Sequence, residues 1–363
     1  MTEKIAIVIR NADFLFADNV GATFGGAAVV AKNVYETLKN DFGLDVHIYT
    51  RMITNGIVPE IVFMITESTS DFVNKLQAMD YCKIFTFSMD GVYINQFLQV
   101  MSKYHSIRNS KFFIRPILKI LNRKKLEYQS MIYSNRPEYA SFIAMSQKVK
   151  FDYVKSFGIP EDKIRVVYPC CNVSDQDVDF CKSSEDVRLG IVANSSINKG
   201  GHYFLFMAGL AKLFGAKFKI VMIATKYKND ILMRFLVNLF NMRSIIKVVP
   251  RQIDMNDFYK DVDCIVLPSQ NEAFGLVALE AMSKGKVPIV SDTAGVSEII
   301  SDNCGVVFSR NSMLSLIYSI INVSRIYRSE YEKFENLSKS AYEISKKYSW
   351  YNFCKEILEN PIV

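Results

Sequence analysis

Short apolar runs alternate along the chain with longer amphipathic stretches. The runs at 5–9, 46–49, 61–65 and 84–87 have strand length and β-rich composition, while 27–39 carries apolar positions at helical spacing. Two further strands are predicted at 139–145 and 164–168, joined by a helix that begins near Gln147. Alternation of this kind predicts βαβ crossovers and a parallel sheet. Between 169 and 186 the pattern collapses into a polar, acid-rich stretch, the composition of an interdomain connection. It then restarts, with strands predicted at 187–193, 218–223, 245–249, 264–267, 287–290 and 306–308 and a helix from about Gly201. Helical sequence covers 327–347, and 350–358 is an aromatic-bearing tail more apolar than a free terminus usually is.

The expected architecture is α/β with two doubly wound, Rossmann-like domains. An N-terminal domain spans 1–170, a linker 171–186 and a second domain 187–345, and a final helix at about 346–363 packs back on the first domain. The length of 363 residues suits two domains at roughly 150 residues each. A chain that is 50% apolar, 13% aromatic and 22% charged is neither disordered nor fibrous. No apolar run reaches the 18 residues of a membrane span, and no signal peptide is evident. Seven scattered cysteines without CxxC or Cys/His spacing read as reduced thiols. The expected location is therefore cytoplasmic, with peripheral attachment to the inner face of a membrane left open.

The net charge of +7 is unevenly spread. From 91 to 126 there is no Asp or Glu, and the eight cations of that window interleave with apolar residues, so 116–126 reads as an amphipathic helix. Such a face at 103–126 suits an anionic membrane surface, and equally a solvated basic surface or a groove that steers anionic substrates.

Ligands of doubly wound domains sit beyond the carboxyl ends of the strands. The segment there that carries most chemistry is 267–282, a buried strand, a polar turn and a good helix former. Gly275 stands where the helix begins, so N–H groups lie open to an anion at close range. Glu272 precedes the helix, and Glu280 lies about 7 Å along the axis from Gly275 at 1.5 Å per residue. Two carboxylates so placed can grip separated hydroxyl pairs with a diphosphate between them.

Here the sequence resembles the retaining GT-B glycosyltransferases of family 4. Their Glu-x7-Glu signature is matched by Glu272 and Glu280, with Phe274-Gly275-Leu276 inside it. Also similar, in the family's order, are Gly25-Gly26, Ala144-Met145-Ser146, the run 164–169, Asn198-Lys199-Gly200 and Ala294-Gly295-Val296-Ser297-Glu298. The resemblance implies a nucleotide-diphosphate sugar as donor, such as a UDP- or GDP-sugar, a glycan or lipid-linked acceptor, and no cofactor. Glu280 would hold the ribose hydroxyls, Glu272 a hydroxyl of the donor sugar, and the N–H groups of Phe274, Gly275 and Leu276 the sugar or diphosphate. Lys199 would neutralise the diphosphate, and Gly25 and Gly26 would close over it from the other domain. Two departures stand out. Asn194 occupies the place of a usual Arg, so neutralisation falls more to Lys199 or is shared with a residue such as Arg251. Where many members carry a His, this chain reads Phe87-Ser88-Met89-Asp90-Gly91, which leaves Ser88 or Asp90 for the spot.

Three Asp-x-Asp triplets, beginning at Asp175, Asp177 and Asp261, are read as decoys, and no metal is expected. His47, His105 and His202 are not spaced as ligands and read as structural or solvated. The competing functions are a nucleotide-sugar epimerase or phosphorylase of the same fold and a non-catalytic anion or nucleic-acid binder using the basic window. The second ranks well below, because aromatic platforms at single-strand spacing are not evident and no nucleic-acid partner is expected.

Overall fold

The computed structural model describes residues 4–9, 26–50, 61–64, 83–88, 140–173, 178, 180, 182, 184–193, 199–224, 230–249 and 255–359. It divides into two compact units, Met1–Pro169 with Trp350–Val363, and Cys170–Ser349.

In the first unit, β1 (Lys4–Ile9), β2 (Asp45–Thr50), β3 (Ile61–Met64), β4 (Lys83–Ser88), β5 (Ala140–Ala144) and β6 (Ile164–Val166) form one parallel sheet in the order β2-β1-β3-β4-β5-β6. Parallel neighbours require crossovers, and α1 (Gly26–Asn40) supplies the one between β1 and β2, burying Val34 and Leu38. After β5 the Ser146 hydroxyl accepts from Val149 N–H at 3.2 Å and starts α2 (Gln147–Phe157). Gly158, in the left-handed region at φ 65°, ends α2 by donating its N–H to the Val154 carbonyl.

The second unit repeats the architecture. Its strands are β7 (Val187–Val192), β8 (Phe218–Ile223), β9 (Ile246–Val249), β10 (Cys264–Leu267), β11 (Val287–Ser291) and β12 (Val306–Phe308), all parallel, in the order β12-β11-β10-β7-β8-β9. Every residue of β10 and β11 is buried, as expected of central parallel strands covered on both faces. The helices are α3 (Gly201–Leu213), α4 (Ile231–Leu239), α5 (Asn256–Lys260), α6 (Leu276–Met282), α7 (Met313–Ser329) and α8 (Tyr331–Ser345). Phe204, Leu205 and Ala208 of α3, Met233 and Val237 of α4, and Leu316, Ile320 and Tyr327 of α7 join the buried strand residues in one core.

The structure corrects two expectations. The single helical run at 327–347 is two helices, because Glu330 leaves the α region (φ −136°, ψ 48°) and its N–H closes α7 on the Ile326 carbonyl. The break folds Tyr327 against Phe334, with ring centroids 4.9 Å apart and edge to face, a contact that a straight helix over the same seven residues would not make. The polar stretch that follows Pro169 is also not a loose connection throughout. Cys170 and Cys171 are buried, Cys171 N–H donates to the Tyr348 carbonyl, and Tyr331 OH donates to the Phe180 carbonyl at 2.8 Å.

The last helix, α9 (Trp350–Glu359), lies in the first unit. It buries Trp350, Phe353, Cys354 and Ile357, stacks Tyr351 on Phe42 at 5.0 Å, and receives the Arg165 guanidinium on the Ile357 carbonyl.

Candidate active site

In the second sheet the strand order reverses between β7 and β10, the place where an open parallel sheet opens a ligand crevice at the carboxyl ends of its strands. The segment after β7 ends in Lys199 and Gly200, which starts α3; the segment after β10 runs through Glu272 to Gly275, which starts α6. These two turns meet at backbone distance. Gly200 sits at φ 69°, and a Cβ there would fall 2.1 Å from the Pro268 carbonyl oxygen. Only glycine allows both the conformation and the approach.

That approach sets the polar geometry. Lys199 Nζ donates to Glu272 Oε2 at 2.7 Å, and Ser269 Oγ donates to the same oxygen at 3.1 Å. The turn carrying Glu272 is held from a third strand end, that of β11. Glu272 and Ala294 form a parallel bridge, Gly295 N–H donates to the Glu272 carbonyl at 3.2 Å, and Val296 N–H donates to the Phe274 carbonyl at 2.8 Å. Ser291 and Thr293 hydroxyls both donate to the Ser269 carbonyl. The Ala-Gly-Val-Ser-Glu motif at 294–298 thus acts through its main chain, as a brace for the glutamate turn.

Gly275 has φ 112° and ψ 58°, and a Cβ there would lie 2.5 Å from Leu267 Cδ2. Its conformation turns the chain so that α6 begins at Leu276; the Ala278 N–H donates to the Gly275 carbonyl at 2.9 Å, while the N–H groups of Leu276 and Val277 precede the first turn's bonds. With seven residues α6 is short, so the close N–H groups themselves, rather than a long helix dipole, would provide attraction for an anion.

Glu280 lies one and a half turns into α6, partly buried, and accepts a hydrogen bond from Tyr259 OH at 2.8 Å. Desolvation lifts the Glu280 carboxyl above its ordinary pKa, and the Tyr259 bond, which favours the charged form, works against that rise. Tyr259 is buried, and desolvation together with the neighbouring carboxylate pushes its phenol well above the usual range. It therefore remains a donor at any physiological pH. The sequence reading missed Tyr259; a tyrosine buried in a short helix needs a partner, but nothing in its neighbours names Glu280 as that partner.

The structure brings together Lys199, Glu272, Phe274, Gly275, Leu276 and Glu280 in one unit. Gly26 is the first residue of α1 in the other. Gly25, Asp90, Asn194, Arg251 and the basic window 103–126 lie outside the described residues, as do Asp175, Asp177 and Asp179. Asp261 and Asp263, the third Asp-x-Asp, are engaged by cations: Asp261 pairs with Lys247, and Asp263 accepts from Arg188 N, Nε and Nη2 at 2.8–3.1 Å. His202 is buried with Nε2 at 2.9 Å from Asp230, whose carboxylate caps α4 through Met233 N–H. Burial opposes ionisation of Asp230, but the Met233 N–H and His202 hold its pKa below the ordinary value. Among the described residues no helix is long and apolar enough to cross a membrane.

Comparison with known proteins adds three findings. Residues 235–344 match the family model Glycosyl transferases group 1. An uncharacterized glycosyltransferase of Methanocaldococcus jannaschii is 25% identical over 243 residues, 62% of this chain and 61% of that relative's length. Among solved structures, sucrose-phosphate synthase from Thermosynechococcus elongatus superposes with a TM-score of 0.71 at 15% identity, covering 98% of each chain. Anabaena HepE in complex with UDP and glucose gives 0.66 at 13% identity, again over 98% of each. The chain has the GT-B fold, and the part of it that holds Tyr259, Glu272 and Glu280 matches the glycosyl transferases group 1 family.

Proposed function

We propose that the protein is a glycosyltransferase that moves a sugar from a nucleotide-diphosphate sugar to a glycan or lipid-linked acceptor, with retained anomeric configuration and without a metal. The observation that carries the reading is the pairing of Lys199 with Glu272 on the glycine-built turns beyond β7 and β10, with Glu280 in the helix that the second turn starts. Support also comes from the fold shared with HepE, whose structure holds UDP and glucose.

Glu280, steadied by Tyr259, accepts from the ribose hydroxyls. Glu272 accepts from a hydroxyl of the donor sugar. Lys199 and the N–H groups of Gly275 and Leu276 face the diphosphate. As the bond from sugar to phosphate breaks, negative charge grows on the bridging oxygen, and donors already in place at that oxygen lower the barrier without reorganising. The leaving phosphate takes the acceptor proton, so the chain supplies positioning and electrostatics rather than a dedicated base. Lys199 reaches the diphosphate by exchanging its Glu272 partner for phosphate oxygens.

A thermal-shift screen of nucleoside diphosphates and nucleotide-sugars identifies the donor, since a ligand that binds the native form raises the midpoint. Product analysis with that donor then separates transfer (a glycoside) from hydrolysis (free sugar) or phosphorolysis (a sugar phosphate). Lys199→Ala and Glu280→Ala are expected to lose most of the turnover while remaining folded. Near-normal turnover in both discards the site.

A further inference from the structure

Helix α4 carries two apolar faces. Met233, Leu236 and Val237 enter the core of the second unit, as amphipathicity requires. On the other side Ile231 is 80% exposed, and Leu232, Phe235 and Leu239 are 50–56% exposed. At about 100° per residue these four fall within a stripe roughly 100° wide, bordered on one edge by the exposed Arg234 and Asn238 and on the other by the buried Leu236. Lys212 Nζ, at the end of α3, donates to the Phe240 and Asn241 carbonyls and so holds the two helix ends side by side. Leu213 and Phe214, which follow Lys212, are also exposed. Single exposed apolar residues are ordinary; four on one face of a nine-residue helix are not.

Ten of the fifty-three residues from 199 to 251 are Lys or Arg, of which Lys199 and Lys247 pair with Glu272 and Asp261 outside the segment, and one residue, Asp230, is acidic. That single carboxylate is occupied in capping α4 and in pairing with His202. Arg243, just beyond α4, hydrogen-bonds Asn238 on the helix itself, so a guanidinium stands at the edge of the stripe.

We propose that this face of the second unit docks on an anionic lipid bilayer, with Ile231, Leu232, Phe235 and Leu239 entering the boundary between headgroups and acyl chains and the flanking cations meeting the headgroup phosphates. Apolar insertion combined with basic flanks is the chemistry of an interfacial helix. The residues that form this surface are not those of the 103–126 window, and the proposal does not depend on what the active site transfers.

The test is co-sedimentation of the full chain with phosphatidylcholine vesicles that contain or lack 30% phosphatidylglycerol, at two salt concentrations. Binding is expected to the anionic vesicles only, and to weaken at high salt. Phe235→Ser with Leu239→Ser is expected to reduce partitioning about tenfold, and Arg234→Glu with Arg243→Glu by a similar factor. All four residues are exposed, and an unchanged thermal midpoint verifies that each double variant is folded. The proposal is overturned if the chain ignores anionic vesicles, or if the serine variant binds them as the unaltered chain does. It is equally overturned if the chain is a dimer that this variant converts to a monomer, because a second copy would then be the occupant of the stripe.

Discussion

Tyr259→Phe removes the phenol that bonds Glu280 at the centre of the site, together with its longer contact to the Val277 carbonyl at 3.4 Å. The phenol oxygen lies 2.8 Å from Glu280 Oε2, and the ring around it is buried, so deletion of the oxygen removes a donor from a carboxylate without exposing the ring. Hydrogen bonds to charged groups contribute about 1.5–3 kcal/mol, and Glu280 keeps some access to solvent, so a loss of about 1–2 kcal/mol is expected. For a unit of this size that lowers the thermal midpoint by about 2–8 °C. The pH dependence follows from the direction of the Glu280 shift. Burial raises its folded pKa above the unfolded value, so the folded chain binds more protons, and stability falls as the pH rises through the folded pKa. Tyr259 limits that fall by favouring the charged form. The variant should therefore lose most stability above the raised folded pKa, where the carboxylate is charged, and little below it, where it is neutral. Affinity for the nucleotide donor should drop on the order of tenfold, with the acid limb of the binding profile displaced to higher pH. Thermal melts across pH and titration calorimetry with the donor provide the measurements. A midpoint loss that is the same at every pH, or an unchanged donor affinity, refutes the coupling of Tyr259 to Glu280.

Other expectations follow from the same geometry. Glu272→Gln releases Lys199 from its ion pair, so a nucleoside diphosphate without its sugar should bind several-fold more tightly while transfer from the intact donor falls; weaker diphosphate binding in calorimetry would contradict this. Gly200→Ala places a Cβ against the Pro268 carbonyl at a positive φ, and a backbone atom yields less readily than a side chain, so denaturant unfolding should show a loss of about 3 kcal/mol or more, together with loss of turnover. Asp263→Ala leaves the half-buried Arg188 without the carboxylate that accepts two bonds from its guanidinium and one from its backbone N–H, and should cost about 3 kcal/mol by the same measurement, with a smaller loss when Arg188→Met is added. Asp230→Ala removes a helix cap and the partner of His202, for a loss of about 1–2 kcal/mol. Because the Asp230 pKa is depressed in the fold, that contribution should be present at neutral pH and fade as the solution is acidified through it.

Much of the fold is legible in the chain because parallel strands buried on both faces must be almost wholly apolar. The runs at 187–193, 218–223, 264–267 and 287–290 follow that rule; the observed strands match the second and third and differ from the first and last by one residue at the C-terminal end. The Glu-x7-Glu segment is legible for a similar local reason, since both glutamates and Gly275 belong to one strand-turn-helix. The break at Glu330 is not. Nothing in residues 327–347 forbids a continuous helix; three aromatic rings find better contacts when it bends. Nor does polar composition reveal that the segment after Pro169 contributes Cys170, Cys171 and the Phe180 carbonyl to the second unit.

The amino-acid order by itself thus determined the alternation of strands and helices, the place of the two glutamates, and the glycines that their turns require. These are near-neighbour properties, set by periodicity and by the conformations each residue permits. Tertiary structure alone decided which distant groups meet: Lys199 with Glu272 across 73 residues, Tyr259 with Glu280, and the 294–298 segment with the glutamate turn. Strand order brings the ends of β7, β10 and β11 together, and strand order is a property of the whole packed sheet, in which no single stretch of chain carries the information.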